Sequence, residues 1–271
     1  MAEPAVPAFS GSIPEMYQRY MVPLVFAFYA ENVAQRARAL AKQAVLETAA
    51  GTGVVTRQLA STLPQGVKIV ATDLSPPMLA FAGGLGTARE VEWRQADALS
   101  LPFEDASFDL VVCQFGAMFF PDKAQGFAEA RRVLRPGGTF LFSVWDSLEH
   151  NEFALAVQEE LEQMFPESPP NFMARVPHGY HDVAAIRADI ASGGFTSTPQ
   201  IDTVATESRA PSADFAATAL CTATPLRNEI EARDPARLQE ATSRAAQRIR
   251  TRFGSGQVSA KIQAHIVSIV R

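Results

Sequence analysis

Only two cysteines occur in the chain, Cys113 and Cys221, far apart and with no companion cluster of cysteine or histidine. That scarcity excludes a disulfide framework and offers no zinc spacing, so no metal site is expected and a reducing compartment fits. Long apolar runs are missing too. The most apolar early stretch, Tyr20 to Ala30, is roughly half the length a bilayer span needs, and it contains Pro23. The opening residues MAEPAVPAFSGS lack the basic segment and apolar core of a secretory leader, so no cleaved leader is expected. These absences together predict a cytoplasmic protein with no membrane span. Positive charge is in short supply, with 24 basic against 29 acidic residues. Without a general field for a phosphate backbone, nucleic acid is not the expected partner. Internal repeats and low-complexity tracts are lacking as well, which removes solenoids and arrays.

What is present is a globular composition. Only 20% of residues are charged, and 18 Phe stand against 4 Tyr and 2 Trp, so the aromatic content is expected to be buried or to line a pocket. Residues 1 to about 12 read as a flexible Pro/Ala/Ser/Gly-rich arm. Pro14 to Leu40 reads as one or two helices broken near Pro23. From Ala44 the pattern becomes short apolar runs separated by helical stretches: AVLETA, Val54 to Leu63, VKIVATD, Pro76 to Leu85, VEWRQAD, FDLVVCQF, Ala124 to Leu134 and TFLFSVWD. Strands alternating with helices predict right-handed crossovers and a mainly parallel, doubly wound α/β sheet. Arg135-Pro136-Gly137-Gly138 reads as a turn between helix and strand. Beyond Asp146 the rhythm loosens. Helices are expected over Asn151 to Phe165, Asp182 to Ser192, Ser212 to Thr222 and onward from Asp234-Pro235, with strands over Gln200 to Thr206 and Gln263 to Val270. The organisation that follows is an N-terminal arm and helical segment over 1–43, a core over 44–146, and a cap region over 147–271 whose last strands complete the sheet.

Three segments carry ligand chemistry. Glu47-Thr48-Ala49-Ala50-Gly51-Thr52-Gly53 follows the first strand and opens a helix, where small residues let backbone amides approach a ligand. A nicotinamide fingerprint would want a third glycine where Thr56 stands, which disfavours an oxidoreductase. Asp73 ends the second strand, at the usual place for a carboxylate that accepts from both hydroxyls of a ribose. Ser75, before Pro76, is the better N-cap for the next helix, leaving Asp73 freer for a ligand. The third segment is Gln95-Ala96-Asp97-Ala98, followed by Leu99, Leu101-Pro102-Phe103, Asp105 and Phe108-Asp109.

In that order, and with Val133-Leu134-Arg135-Pro136-Gly137-Gly138 behind them, these segments resemble the class I S-adenosylmethionine-dependent methyltransferases. Within that class the likeness is to the branch that includes the ubiquinone and menaquinone biosynthesis methyltransferases. It covers about Ala44 to Asp146. The resemblance implies a Rossmann-like sheet of seven strands with an antiparallel last strand, N-terminal helices and an α-helical cap. S-adenosylmethionine would be the cofactor and S-adenosylhomocysteine its product. The cofactor-binding set it implies includes Glu47, with Ala49, Gly51 and Gly53 around the methionine part, Asp73 on the ribose, and Asp97 with the Ala98 amide on the adenine. Leu74 and Met78 would pack against the adenosine. Ala49 departs from the family by standing where glycine is frequent.

Gln114, Phe115 and Phe119 follow the fourth strand at the mouth of the sheet, where they can touch cofactor and acceptor. Tyr17 and Tyr20 lie on the helical segment that folds over the donor in similar methyltransferases. Methyl transfer needs alignment more than a nucleophilic triad, and no catalytic residue is singled out. If the acceptor must lose a proton, the candidates are His150, His178, His181 and nearby tyrosines. The functional expectation is methyl transfer to a small apolar or aromatic molecule. The alternative is a non-catalytic, regulatory protein that binds S-adenosylmethionine and has a closed or filled acceptor pocket.

Overall fold

The apolar runs around Leu46, Val70 and Val111 become neighbouring strands with buried side chains, as a parallel sheet requires when helices cover both faces. The computed structural model describes residues 13–271; the arm expected over residues 1 to about 12 lies outside them. The chain opens with α1 (Ile13–Met16), a π-helix (Tyr17–Phe26) and α2 (Ala27–Leu40). The alternating part follows: β1 (Ala44–Glu47), α3 (Val54–Thr62), β2 (Lys68–Asp73), α4 (Pro76–Leu85), β3 (Glu92–Gln95), β4 (Phe108–Gln114), α5 (Lys123–Val133) and β5 (Leu134–Trp145). Then come α6 (Glu152–Met164), α7 (Phe172–Arg175), α8 (Val183–Ser192), β6 (Gln200–Ala210), α9 (Ala213–Thr222), α10 (Leu226–Arg233), α11 (Leu238–Phe253) and β7 (Val258–Val270).

The seven strands lie in the order β3-β2-β1-β4-β5-β7-β6. β1 pairs in parallel with β2 and β4, β2 with β3, and β4 with β5. β7 enters between β5 and β6, antiparallel to both, which is the reversed last strand the resemblance implied. Because winding proceeds outward in both directions from β1 and β4, the loops after these two strands diverge and leave a crevice at their C-terminal ends.

Two expectations need correction. Pro23 does not break the helix: the chain runs from α1 to α2 through π-type bonding, with the Ala27 amide reaching the Val22 carbonyl five residues back. The wider turn makes room for a proline ring that an α-helical interior would crowd. Nor is Arg135-Pro136-Gly137-Gly138 a turn outside the strand. β5 already begins at Leu134, which pairs with Phe108, and the register then shifts so that Leu110 pairs with Thr139. Gly137 takes φ 76° inside this irregularity, as β-bulges ask of glycine. Asp109 fixes the same corner, accepting from the amides of Gln43 (2.5 Å) and Ala44 (2.8 Å) and from Arg135 Nη1 (3.0 Å).

An aromatic cluster joins the N-terminal helices to the sheet. Phe115 and Trp145, at the ends of β4 and β5, stack with centroids 3.8 Å apart, and the buried Tyr29 meets both edge-on. The Tyr29 hydroxyl donates to the Val204 carbonyl at 2.9 Å, tying α2 to β6. Over the region after Asp146, α11 packs on α9 and α6, and Glu160 accepts from Arg244 and Arg248. No helix among the described residues is long and apolar enough to cross a membrane.

Candidate functional site

The loop after β1 turns sharply before α3, and Ala49 (φ 53°), Gly51 (φ 55°) and Gly53 (φ 78°) all take left-handed backbone to do so. For glycine this conformation costs little; for Ala49 it costs about 1–2 kcal/mol. The loop is pinned from beneath. The Ala50 amide donates to the Thr72 carbonyl, the Thr72 hydroxyl to the Glu47 carbonyl, and the Thr56 hydroxyl to Glu47 Oε2 at 2.6 Å. Burial pushes the Glu47 carboxyl up to about 8, against the Thr56 hydrogen bond, and the nearby Asp73 adds to the rise.

Asp73 is more tied than the sequence suggested. Its Oδ2 accepts from the Gly51 amide and its Oδ1 from the Ser75 amide, both at 2.8 Å. Ser75 does hold the N-cap position of α4. The two amides fix the carboxylate's direction while each oxygen keeps a further lone pair. Burial raises the Asp73 pKa despite these donors. At the end of β4, Phe115 also adopts a left-handed backbone (φ 53°). A Cβ on the next residue, Gly116, would sit 2.5 Å from Ala49 Cβ, so the loops after β1 and β4 are in contact.

Between them lies a cavity of about 400 Å³. Ala49, Gly51, Asp73, Leu74, Met78, Asp97, Ala98, Gln114, Phe115 and, from the π-helix, Tyr17 all line it, so the structure brings these residues, distant in sequence, around one space. Asp97 is exposed and shapes its own turn, accepting the Leu99 amide at Oδ1 (2.9 Å) and the Ser100 amide at its carbonyl (3.0 Å). Gln114 Oε1 is buried and has no hydrogen-bond partner among the described residues. Glu47, Gly53 and Tyr20 do not line the cavity. Glu47 lies under the loop. Gly53 caps α3 where a Cβ would meet the Trp93 ring at 2.9 Å. Tyr20 packs on Phe215, with ring centroids 4.9 Å apart.

Residues 46–142, which carry this cavity's loops, match the family model described as "Methyltransferase domain". A demethylmenaquinone methyltransferase of Deinococcus radiodurans is 44% identical over 107 residues, covering 39% of this chain and 44% of that protein. The demethylmenaquinone methyltransferase of Mycolicibacterium vanbaalenii is 34% identical over 161 residues, covering 56% of this chain and 68% of that protein. The chain belongs to the class I S-adenosylmethionine-dependent methyltransferases. Its branch is that of the ubiquinone and menaquinone biosynthesis methyltransferases. The match spans about half the length of several of these curated relatives. In fold, the chain is similar to a putative methyltransferase from Bacillus halodurans, with a TM-score of 0.56 and 21% identity over 89% of this chain and 97% of that one.

S-adenosylmethionine is the cofactor of this family, and the side chains of the cavity fit it. Asp73, Asp97 and the orphaned Gln114 Oε1 could accept from its hydroxyl and amino hydrogens, while Leu74, Met78 and Leu99 offer apolar surface to its ring.

A second, smaller cavity of about 80 Å³ lies inward and shares the walls Tyr17, Phe115 and Phe119 with the first. Phe26, Met118, Trp145, Phe153, Phe172 and Leu220 make it strongly apolar; Asn151, His178 and Thr224 also border it. The sequence carries no mark of most of these residues. Met21, Trp145, Phe153, Phe172 and Leu220 come from separate elements, and no local spacing distinguishes them from ordinary core. Of the histidines proposed as bases, His178 borders this pocket, whereas His150 and His181 lie off both cavities. His150 sits on an exposed turn with Nδ1 3.5 Å from Lys261 Nζ, and His181 Nδ1 meets the His178 carbonyl at 2.7 Å.

Proposed function

We propose that this chain transfers a methyl group from S-adenosylmethionine to a small, apolar, aromatic molecule seated in the inner pocket. The observation that carries this reading is the shared wall of Tyr17, Phe115 and Phe119, which sets an aromatic-lined pocket directly beside the cofactor cavity.

Asp73, oriented by the Gly51 and Ser75 amides, would accept from the ribose hydroxyls. Ala49 and Gly51 would flank the methionine part, Asp97 and the Ala98 amide would meet the adenine, and Leu74 and Met78 would cover its faces. Glu47 and Gly53 act one step back, by holding the loop in its left-handed course. Tyr20 braces the π-helix through Phe215, and Tyr17 lies over both cavities. When bound, the cofactor supplies an electrophilic methyl on a sulfonium, displaced in line. The chain's part is to align and dry the acceptor: Phe115 and Trp145 give it a flat stacked wall, and Phe119 separates it from the adenosine side.

In this reading residues 44–146 form the donor core and 147–271 supply most of the acceptor pocket, from α6, α7, α9, the loops beside them and β7. The relatives' names, demethylmenaquinone methyltransferases, support a ring-shaped acceptor. The two buried free cysteines support action in the reducing cytoplasm. The test is a panel of phenols, naphthols and quinols incubated with S-adenosylmethionine, with methylated product followed by mass spectrometry. A methylated aromatic product supports the proposal; cofactor binding with no product across the panel counts against it.

A further inference from the structure

His178 carries a lone pair with no hydrogen-bond partner among the described residues. Its Nδ1 lies 2.9 Å from the Asp146 carbonyl; because a carbonyl only accepts, Nδ1 holds the ring proton and Nε2 is left as an acceptor. Among the described residues nothing hydrogen-bonds Nε2, although the residue is only 5% exposed. The carbonyl that sets this tautomer is itself held, since Asn151 Nδ2 also donates to it at 3.2 Å.

Two other polar side chains of the pocket wall are already engaged. Asn151 spends its amide on the carbonyls of Asp146 and Ser147, and the Thr224 hydroxyl donates to the Leu220 carbonyl at 2.8 Å. No carboxylate borders the pocket among the described residues, so a cationic occupant would find no counter-charge. The Trp145 ring stands 6.2 Å from the imidazole, centroid to centroid, giving an adjoining flat surface.

Building on the acceptor-pocket reading above, we propose that His178 determines acceptor specificity, its Nε2 accepting a hydrogen bond from a hydroxyl group on a neutral aromatic acceptor. Burial pushes the His178 pKa down to about 4, so the ring stays neutral, and an acceptor, at the pH of the cytoplasm. A phenol-type ring satisfies Nε2 while its faces meet the aromatic wall. An ether or hydrocarbon of the same outline leaves Nε2 buried and unpaired, which a site built for a donor penalises.

The experiment titrates the full chain, saturated with S-adenosylhomocysteine, with 1-naphthol and with 1-methoxynaphthalene, in the wild type, His178→Phe and His178→Gln. The wild type is expected to prefer 1-naphthol by about tenfold or more. His178→Phe is expected to lose that preference, and His178→Gln, which keeps an acceptor oxygen, to retain part of it, with S-adenosylhomocysteine affinity unchanged in both. An equal preference in the wild type and His178→Phe overturns the assignment, as does a wild type that binds S-adenosylhomocysteine but not 1-naphthol. Should His178→Phe fail to fold, nitrogen NMR of the wild-type imidazole decides. An unprotonated Nε2 whose shift moves with 1-naphthol and not with 1-methoxynaphthalene supports the role, and a protonated or unresponsive Nε2 overturns it. A wild type that does not bind S-adenosylhomocysteine would instead sink the donor-site reading on which the assignment rests.

Discussion

Ala49 and Gly116 face each other where the loops after β1 and β4 touch, and neither has room to spare. A Cβ at position 116 would stand 2.5 Å from Ala49 Cβ and 2.8 Å from Cys113 Sγ. Gly116→Ala is therefore expected to lose about 1–3 kcal/mol in chemical denaturation and to weaken cofactor binding, because relief requires the loops after β1 and β4 to move apart. Glu47 beneath that loop makes a different prediction. Its folded pKa, about 8, lies above that of an unfolded glutamate. The protonated, buried form thus adds stability that is fully present below the unfolded pKa and is lost as pH rises through about 8. Glu47→Gln cannot ionise. Relative to the wild type it should gain roughly 2–4 kcal/mol between pH 5 and pH 8, measured without cofactor; a difference independent of pH would show that Glu47 is ionised in the fold throughout.

At the scale of elements, Asp109 joins the start of β1, the start of β4 and the irregular opening of β5. Burial pushes its carboxyl up, but the amides of Ala44 and Gln43 together with Arg135 outweigh this and hold it below the usual carboxylate range. That contribution is present above the unfolded pKa and is lost as pH falls through the folded one. Asp109→Asn should lose about 1–3 kcal/mol at pH 7, and the gap should close in acid; unfolding curves at pH 7 and pH 3 check both. The same corner shows why some of the fold was hidden in the sequence. Pro136 and the paired glycines look like a turn, and only the pairing of Leu134 with Phe108 shows that a strand passes through them. Pro23 misleads likewise, because proline breaks α-helices and the structure answers with a π-turn. β6 and β7 extend past the sequence reading, to Ala210 and back to Val258, since the alternation of Val258, Ala260 and Ile262 with Ser259 and Lys261 marks a half-buried strand more faintly than an apolar run does.

Across the whole molecule, two kinds of information were encoded differently. The cavity proposed for the donor was legible because most of its walls are loops at the ends of successive strands, so Ala49, Asp73, Asp97 and Gln114 stand in a fixed order along the chain. The inner pocket was not. It forms only when the π-helix, the end of β5 and the helices after Asp146 close on one another, and its side chains look like any others in the core. β7 makes that closure hold: it hydrogen-bonds β5 on one side and β6 on the other, so the C-terminal region is stitched into the same sheet as β1 and β4. The measurement that bears most directly on this arrangement is calorimetric titration of the folded protein with S-adenosylmethionine and S-adenosylhomocysteine, repeated on Asp73→Ala and Asp73→Asn. Binding on the order of micromolar, weakened by about 100-fold in Asp73→Ala and clearly weakened in Asp73→Asn, is the predicted result. A folded wild type that binds neither compound, or an Asp73→Ala variant that binds as well as the wild type, would contradict it.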